Sequence, residues 1–219
     1  EAYLEKITNL YKTRFRTLNE FAGLTQGFFK DDFPTDEDAK KKRDKYLKDE
    51  KTKKALKEFK ATLKLDPDEV MALYNIGLVN MLTGKKAEAL KYFLDADRKK
   101  EEVIFEIAFQ IGRVYLDMGK PDMAKEFLEK ALELYPESWS ALHSLGECCT
   151  ALNMTDEAIS AYKKAIRQNP NDAESLSALG YLFDLLGENP EITTIFCQQS
   201  IDIEPENGPI LFRFLAPIR

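Results

Sequence analysis

The sequence has few of the residues that define several common protein classes. Its 219 residues include one histidine, one tryptophan and three cysteines. Three cysteines are too few for a disulfide framework in a chain of this size, which indicates a reducing, cytoplasmic environment. No apolar run approaches the roughly 18 residues of a membrane-spanning helix, so we expect no membrane partner.

The charge balance also narrows the function. The chain carries 32 Lys or Arg and 38 Asp or Glu, for a net charge of -6. This argues against nucleic-acid binding by the whole molecule, while a local basic face stays open. At 44% hydrophobic residues, the chain can form a folded core. It begins with Glu1 rather than methionine, so we expect a fragment or a processed chain.

Small residues recur at a fixed interval. One set is Gly77, Gly112, Gly146 and Gly180, spaced by 35, 34 and 34 residues. Two further sets have the same spacing. One is Ala55, Ala89, Ala124 and Ala158, and the other is Ala96, Ala131, Ala165 and Ser200. Apolar residues between them recur every three or four positions, which predicts two antiparallel helices per repeat. The small residues are expected where the two helix backbones come close.

Two more sets mark the ends of the predicted helices. Gly84, Gly119, Asn153 and Gly187 follow each first helix, and Gly and Asn accept the left-handed conformation that ends a helix. Pro136, Pro170 and Pro205, anticipated by Pro67, follow each second helix, which a proline cannot continue.

This pattern resembles the tetratricopeptide repeat family over about residues 50–206. The second repeat shows it best, with Ile111-Gly112, Tyr115, Ala124, Leu128, Ala131 and Pro136. The resemblance implies an all-α fold, a right-handed superhelix of antiparallel helix pairs with an N-terminal helical segment. Residues 1–49 would form that segment and 50–219 the repeat domain. Full repeats are expected at about 70–104, 105–138, 139–172 and 173–206, with helical caps at 50–66 and 208–219.

The fourth repeat departs from the pattern. After Gly187, the stretch "ENPEITTIF" has one extra residue and lacks the expected alanine. We therefore expect an irregular start of its second helix.

The stretch "SALHSLGECCTALN" contains the sequence's best candidates for a metal or nucleophile site, His143, Cys148 and Cys149. On a helix, His143 and Cys148 point about 140° apart, whereas side chains share a face at three- or four-residue spacing. Cys149 also occupies the register position of Tyr115 and Phe183, so we interpret both cysteines as packing residues. With no phosphate loop, zinc pattern or second histidine, we expect no enzyme, no cofactor and no metal.

The family resemblance implies a concave groove, lined by the first helices, that holds a partner's peptide or helix. The positions matching that groove are Met71, Tyr74, Leu78, Met81, Phe109, Arg113, Asp117, His143, Glu147, Ser177, Tyr181 and Asp184. Tyr74 and Leu78 stand where some members carry the Lys and Asn of a carboxylate clamp, so no such clamp is expected. The apolar row of Met71 to Met81 has an equal alternative, which is packing against the chain's own N-terminal helices.

Residues 1–49 show no repeat register. "YLEKITNLYKTRFRTLNEFAGL" has one apolar stripe of an amphipathic helix. Together with Phe28-Phe29-Lys30-Asp31-Asp32 and the run Asp36 to Lys41, it is similar to the start of the anticodon-binding half of bacterial glutamyl-tRNA synthetases, up to about residue 60. Residues 38–64 hold 12 basic and 5 acidic residues, a local charge of +7. Candidate tRNA phosphate contacts are Lys40, Lys41, Lys42, Arg43, Lys45 and Lys48; the favoured alternative is a solvated face.

The sequence therefore predicts a non-catalytic scaffold that binds a protein or peptide partner. The alternative is an accessory RNA-contacting or assembly module of a glutamyl-tRNA synthetase-like protein. A catalytic domain encoded upstream of Glu1 would favour the alternative. Self-association is a third candidate, because "ILFRFLAPIR" would expose apolar surface at the end of the repeats.

Replacing Tyr74 and Leu78 by Ser separates the two interpretations of the apolar row. If the row packs against the chain itself, the double variant loses thermal stability because buried apolar area is lost. If the row contacts a partner, stability is kept and partner binding is lost. Thermal unfolding and a binding assay on the same preparation measure both quantities.

Overall fold

The structure is a computed structural model that describes residues 50–101, 103–187 and 190–204. These ranges form α-helices and no strand, which confirms the all-α class for them. The helices are α1 (Glu50–Leu65), α2 (Val70–Leu82), α3 (Lys86–Lys99), α4 (Phe105–Asp117), α5 (Pro121–Leu134), α6 (Trp139–Ala151), α7 (Thr155–Gln168), α8 (Ala173–Leu185) and α9 (Pro190–Ile203). The expected N-terminal helix, the Lys40–Lys48 cluster and the C-terminal cap lie outside the described residues.

The helices are joined in pairs by short turns, as the repeat pattern predicts. α2 contacts α3, α4 contacts α5, α6 contacts α7 and α8 contacts α9. The first helix of each pair ends in a left-handed residue, with φ of 74° at Gly84, 67° at Gly119, 58° at Asn153 and 68° at Gly187. This conformation turns the chain sharply enough for the next helix to begin within a few residues. The predicted role of these four positions is confirmed.

The in-phase glycines lie where the paired helices approach most closely. A Cβ added at Gly112 would come within 2.7 Å of the Leu128 side chain, and one at Gly146 within 2.6 Å of the Tyr162 ring. Carbon atoms pack at about 3.5–4.0 Å, so neither position has room for a methyl group without a shift. The glycines allow a large side chain of the second helix to rest on the backbone of the first.

Contacts between Cα atoms divide the chain into two compact units, between Glu102 and Val103. In the first unit, α2 and α3 bury Ile76, Leu82 and Phe93 almost completely, and α1 adds Ala55 and Phe59. The predicted domain boundary at residues 49 and 50 stays a prediction, because residues before 50 are not described.

The second unit contains α4 to α9. Each second helix contacts the first helix that follows it, since α5 contacts α6 and α7 contacts α8. One cluster of its core consists of Cys149, Ala158, Tyr162, Leu179 and Leu182. Side chains from α6, α7 and α8 therefore share one core, which fixes these helices relative to one another.

The fourth pair tolerates its extra residue. α9 begins at Pro190, and Cys197 takes the place against Gly180 that Leu128 and Tyr162 take in the pairs before. Thr193 is 2% exposed, and the Ser200 hydroxyl donates a hydrogen bond of 2.8 Å to the carbonyl oxygen of Ala173. Small polar residues thus replace alanines without opening the core, and the insertion is absorbed before the helix begins.

The close approach at Gly146 predicts the cost of a single methyl group. Gly146→Ala should lower the free energy of unfolding by about 1–3 kcal/mol, because the methyl group meets the Tyr162 ring. This loss is a net value, since alanine favours a helix over glycine by about 0.5–1 kcal/mol. Urea denaturation followed by circular dichroism measures it.

Two further variants test the cause. Combining Gly146→Ala with Tyr162→Leu should cost less than the sum of the single changes, because the smaller side chain relieves the clash. Gly119→Asn serves as a control and should cost less than about 1 kcal/mol, since Asn accepts a positive φ. Strictly additive losses for the first pair would rule out the clash.

Candidate functional site

In the first unit, the predicted groove residues on α2 face partly inward. Leu78 is only 4% exposed, whereas Met71 is 46% exposed. The Tyr74 ring lies 5.7 Å from the ring of Phe93 on α3, and Met81 is half-buried. Leu78 therefore belongs to the core of this unit, and Met71 is the most exposed member of the row. Contact of this row with a partner stays a prediction.

In the second unit, the predicted residues lie on α4, α6 and α8. We call this set the first-helix face: Phe109, Arg113, Asp117, His143, Glu147, Ser177, Tyr181 and Asp184. Asp117, Glu147 and Asp184 are exposed, and the others are half-buried. α4 contacts α6 directly, and the Arg113 guanidinium lies 5.9 Å from the centroid of the Phe109 ring. Burial raises the pKa of Glu147 on α6 above its usual value, and the positive charge of Arg113 acts against this shift. The hydrogen bond with His143 lowers the pKa of Glu174 at the start of α8, and the charge of Arg113 makes a smaller contribution in the same direction.

His143 does not project freely from this face, because its side chain is only 12% exposed. Its Nδ1 lies 2.8 Å from the Ser175 hydroxyl oxygen and 3.4 Å from Asp172 Oδ2, and its Nε2 lies 3.2 Å from Glu174 Oε2. All three partners belong to the start of α8. The imidazole therefore joins α6 to α8.

The surroundings of His143 favour its charged form. Burial acts to lower the pKa of the imidazole, but the hydrogen bonds with Asp172 and Glu174 outweigh it and raise the pKa to about 10. For the same reason, the interaction with His143 holds the pKa of Asp172 below its usual value, against the opposing effect of burial. At neutral pH the site is a buried imidazolium between two carboxylates.

The residues His143, Asp172 and Ser175 have the composition of a hydrolytic triad but not its arrangement. In such a triad the serine donates to the histidine, whose other nitrogen donates to the aspartate. Here the Ser175 hydroxyl donates to Asp172 Oδ2 over 2.5 Å, and both residues face the same nitrogen of His143. A charged imidazole has no lone pair to accept the serine proton, and Ser175 is 0% exposed. The arrangement suits helix joining rather than nucleophilic attack.

The cysteines of this region are packing residues. Cys149 is 1% exposed in the core cluster, and the Cys148 thiol donates to the carbonyl oxygen of Pro121 over 2.8 Å. Burial raises the pKa of both thiols, that of Cys148 to about 11. A neutral buried thiol is a poor nucleophile and a poor metal ligand. Across the described ranges, no group of three or more His, Cys, Asp or Glu side chains is placed to hold a metal ion.

The sequence interpretation missed the partners of His143. Asp172 caps the start of α8, where its side chain accepts a hydrogen bond of 3.2 Å from the backbone N–H of Ser175. The pattern Asp-x-x-Ser ahead of an apolar helix is a signal for such a cap. It would have placed both residues at the start of α8, next to α6 in the repeat order.

No helix among the described residues is both long enough and apolar enough to cross a lipid bilayer.

Comparison with known proteins identifies the repeats. A family model of the tetratricopeptide repeat matches residues 115–182, and one of an anticodon binding domain matches residues 1–74. The BBSome complex member BBS4 of Bos taurus is 28% identical over 64% of this chain and 26% of its own length. The CTR9 homolog of Arabidopsis thaliana is 28% identical over 53% of this chain and 11% of its own length. The chain thus spans about a quarter or less of these relatives.

Solved structures agree on the fold. YrrB, a tetratricopeptide repeat protein, superposes with a TM-score of 0.67 at 22% identity and covers 90% of this chain and 98% of its own. MamA from Desulfovibrio magneticus RS-1 gives 0.66 at 17% identity, over 76% of this chain and 93% of its own. The paired helices define a helical-repeat protein of the all-α class. The family match identifies the repeats at residues 115–182 as tetratricopeptide repeats.

The buried imidazolium predicts a pH-dependent stability. Because the pKa of His143 is raised from about 6.5 to about 10 on folding, its contribution is complete below pH 6.5 and is lost as pH rises through 10. The advantage of the native protein over His143→Gln in free energy of unfolding should therefore fall across this window, by up to about 1.4 kcal/mol per pH unit. Urea denaturation of both proteins at several pH values measures it.

The comparison with His143→Gln removes the titration of lysines and tyrosines, which both proteins share. An Asp172→Asn variant should lose part of the same pH dependence, because the imidazolium then lacks its buried counter-charge and keeps only Glu174 and Glu147. A difference between native protein and His143→Gln that is constant from pH 6 to 10 would contradict the charged state of His143.

Proposed function

We propose that this protein is a non-catalytic scaffold that binds a peptide or helix of a partner protein on the first-helix face of the second unit. The observation that supports the proposal is the direct contact of α4 with α6, together with the effect of the Arg113 charge on Glu147 of α6 and on Glu174 of α8. The first helices of three successive pairs, α4, α6 and α8, together provide a surface long enough for a peptide of several residues.

The chemistry of the face suits a peptide with a few apolar anchors. Phe109 and Tyr181 are half-buried aromatic side chains at the two ends of the face, and aromatic residues and arginine dominate binding energy at interfaces. Asp117, Glu147 and Asp184 are exposed between and beyond them. Acidic residues outnumber Arg113, so a partner with basic residues around its apolar anchors fits best.

The relatives support an interaction role. BBS4 is named as a member of the BBSome complex, and YrrB is described as having an unusual peptide-binding site. The use of His143 and Ser175 for joining helices favours a role without catalysis. We further propose a reducing, cytoplasmic location, which the three free thiols Cys148, Cys149 and Cys197 favour.

A second candidate function is contact with RNA through the N-terminal residues. The match of an anticodon binding domain to residues 1–74 favours it. The basic cluster Lys40 to Lys48 would neutralise tRNA phosphates, and affinity would then fall steeply with salt. In the described part of this match, Ala55 and Phe59 of α1 are buried, at 2% and 3% exposure, in the unit that α1 shares with α2 and α3. The C-terminal part of the match is therefore used for packing.

Affinity capture from a lysate of the source cells, split into RNase-treated and untreated halves, distinguishes the two functions. For a scaffold, we expect protein partners that survive RNase treatment and that are lost with the double variant Arg113→Glu and Tyr181→Ser. Arg167→Glu, on the exposed side of the second helix α7, is the control and should retain them.

Opposite results would favour the RNA function. Enrichment of tRNA, loss of the protein partners with RNase, and loss of tRNA when Lys40, Lys41 and Lys42 are changed to Gln would overturn the scaffold proposal. Circular dichroism of each variant shows whether a loss of binding reflects a loss of the fold.

A further inference from the structure

A cavity of about 750 Å³ lies at the start of α4, beside the turn between α5 and α6. Its lining consists of Phe105, Glu106, Tyr135, Pro136, Glu137 and Ser138. Pockets that bury a drug-sized ligand have volumes of roughly 300–1,000 Å³, so this one has room for a side chain and some flanking backbone. It lies at the ends of helices, and its lining includes no residue of the first-helix face.

Two aromatic rings form a corner of this cavity. The centroids of Phe105 and Tyr135 are 5.0 Å apart, and the ring planes meet at 85°. The ring of Phe109 stacks on the ring of Phe105, and their centroids are 5.6 Å apart. Tyr135 is 60% exposed. The corner is thus supported by the helix on one side and open to a ligand on the other.

The charged residues that line the cavity are all acidic. Glu106 and Glu137 are exposed carboxylates, and the lining contains no basic residue. Neither carboxylate forms an ion pair with another residue of the described ranges. A cation is attracted both to the negative face of an aromatic ring and to a carboxylate, and few ligands other than a cation satisfy both.

We propose that this cavity binds a lysine or arginine side chain of a partner polypeptide. The cationic head lies in the corner of Phe105 and Tyr135, between the carboxylates of Glu106 and Glu137. The flanking backbone of the partner occupies the remaining volume and packs on Pro136. A free amine would leave most of that volume filled with water, which favours a polypeptide as the source of the cation.

Short peptides test the site in the whole protein. The probes are acetyl-Gly-Ser-X-Ser-Gly-amide with lysine, arginine or norleucine at X, titrated while amide chemical shifts are recorded by NMR. We expect the lysine and arginine peptides to shift the amides of Phe105, Glu106 and Glu137, and the norleucine peptide to bind at least fivefold more weakly. Trp139, the one tryptophan of the chain, is 45% exposed beside the cavity and gives a second readout by fluorescence.

Matched variants separate the ring from the charges. Tyr135→Leu should weaken binding of the lysine peptide at least fivefold, whereas Tyr135→Phe, which keeps the ring, should not. Glu106→Gln combined with Glu137→Gln should weaken binding similarly and make it insensitive to salt. Glu133→Gln, an exposed acid on α5 outside the cavity, is the control and should change nothing.

Three results would overturn the proposal. The first is an absence of shifts around the cavity with any peptide. The second is equal binding of the norleucine and lysine peptides, which would show an apolar groove with no preference for a cation. The third is binding of butylammonium or methylguanidinium as tight as that of the peptides, which would assign the site to a small molecule. Each is readable without knowing the partner of the first-helix face.

Discussion

Each helix pair depends on a glycine of its first helix that lets a side chain of its second helix reach the backbone. Gly112 receives Leu128, Gly146 receives Tyr162 and Gly180 receives Cys197. The side chain that fills the place differs from pair to pair, while the glycine does not. Because a Cβ at any of these positions would come within 2.7 Å or less of that side chain, the missing Cβ sets the distance between the helices.

The packing at these glycines determines which residues of the first helices lie outside the contact between paired helices. Gly112 faces α5 and Ile111 is fully buried, whereas Arg113, the next position along α4, is only half-buried. Phe109 and Phe105 precede it at intervals of four residues and share its side of the helix. The stack of Phe105 on Phe109 and the position of Arg113 near the Phe109 ring follow from this spacing. The binding surface proposed for the second unit is thus the surface that the glycine contacts leave uncovered.

The predictable part of the molecule is the part that local backbone constraints determine. A left-handed residue after each first helix requires Gly or Asn, and this requirement is visible as a spacing in the sequence. The placement of His143 against Asp172 and Ser175 was not visible, because it depends on how far apart α6 and α8 lie and on the rotamers between them. The sequence assigned the candidate groove residues to helices, but it could not show which of them are buried. Leu78, for example, is only 4% exposed. To predict side-chain contacts between helices, one needs the distances between those helices, and the spacing of a sequence repeat does not give them.

The imidazolium of His143 connects the stability of the second unit with the chemistry of its surface. Glu174 accepts from His143 and is about half exposed, and Glu147, also about half exposed, lies 3.8 Å from the same imidazole. Four carboxylates, Asp117, Glu147, Asp172 and Glu174, surround two cations, Arg113 and His143. The cluster therefore retains a net negative charge after its internal pairs are counted. A cationic partner would be attracted to Asp117, Glu147 and Glu174, the three that reach solvent, whereas Asp172, at 5% side-chain exposure, would remain with His143. In the proposed mode of binding, the exposed carboxylates of this cluster would attract the partner, while the buried Asp172 holds His143 to the start of α8.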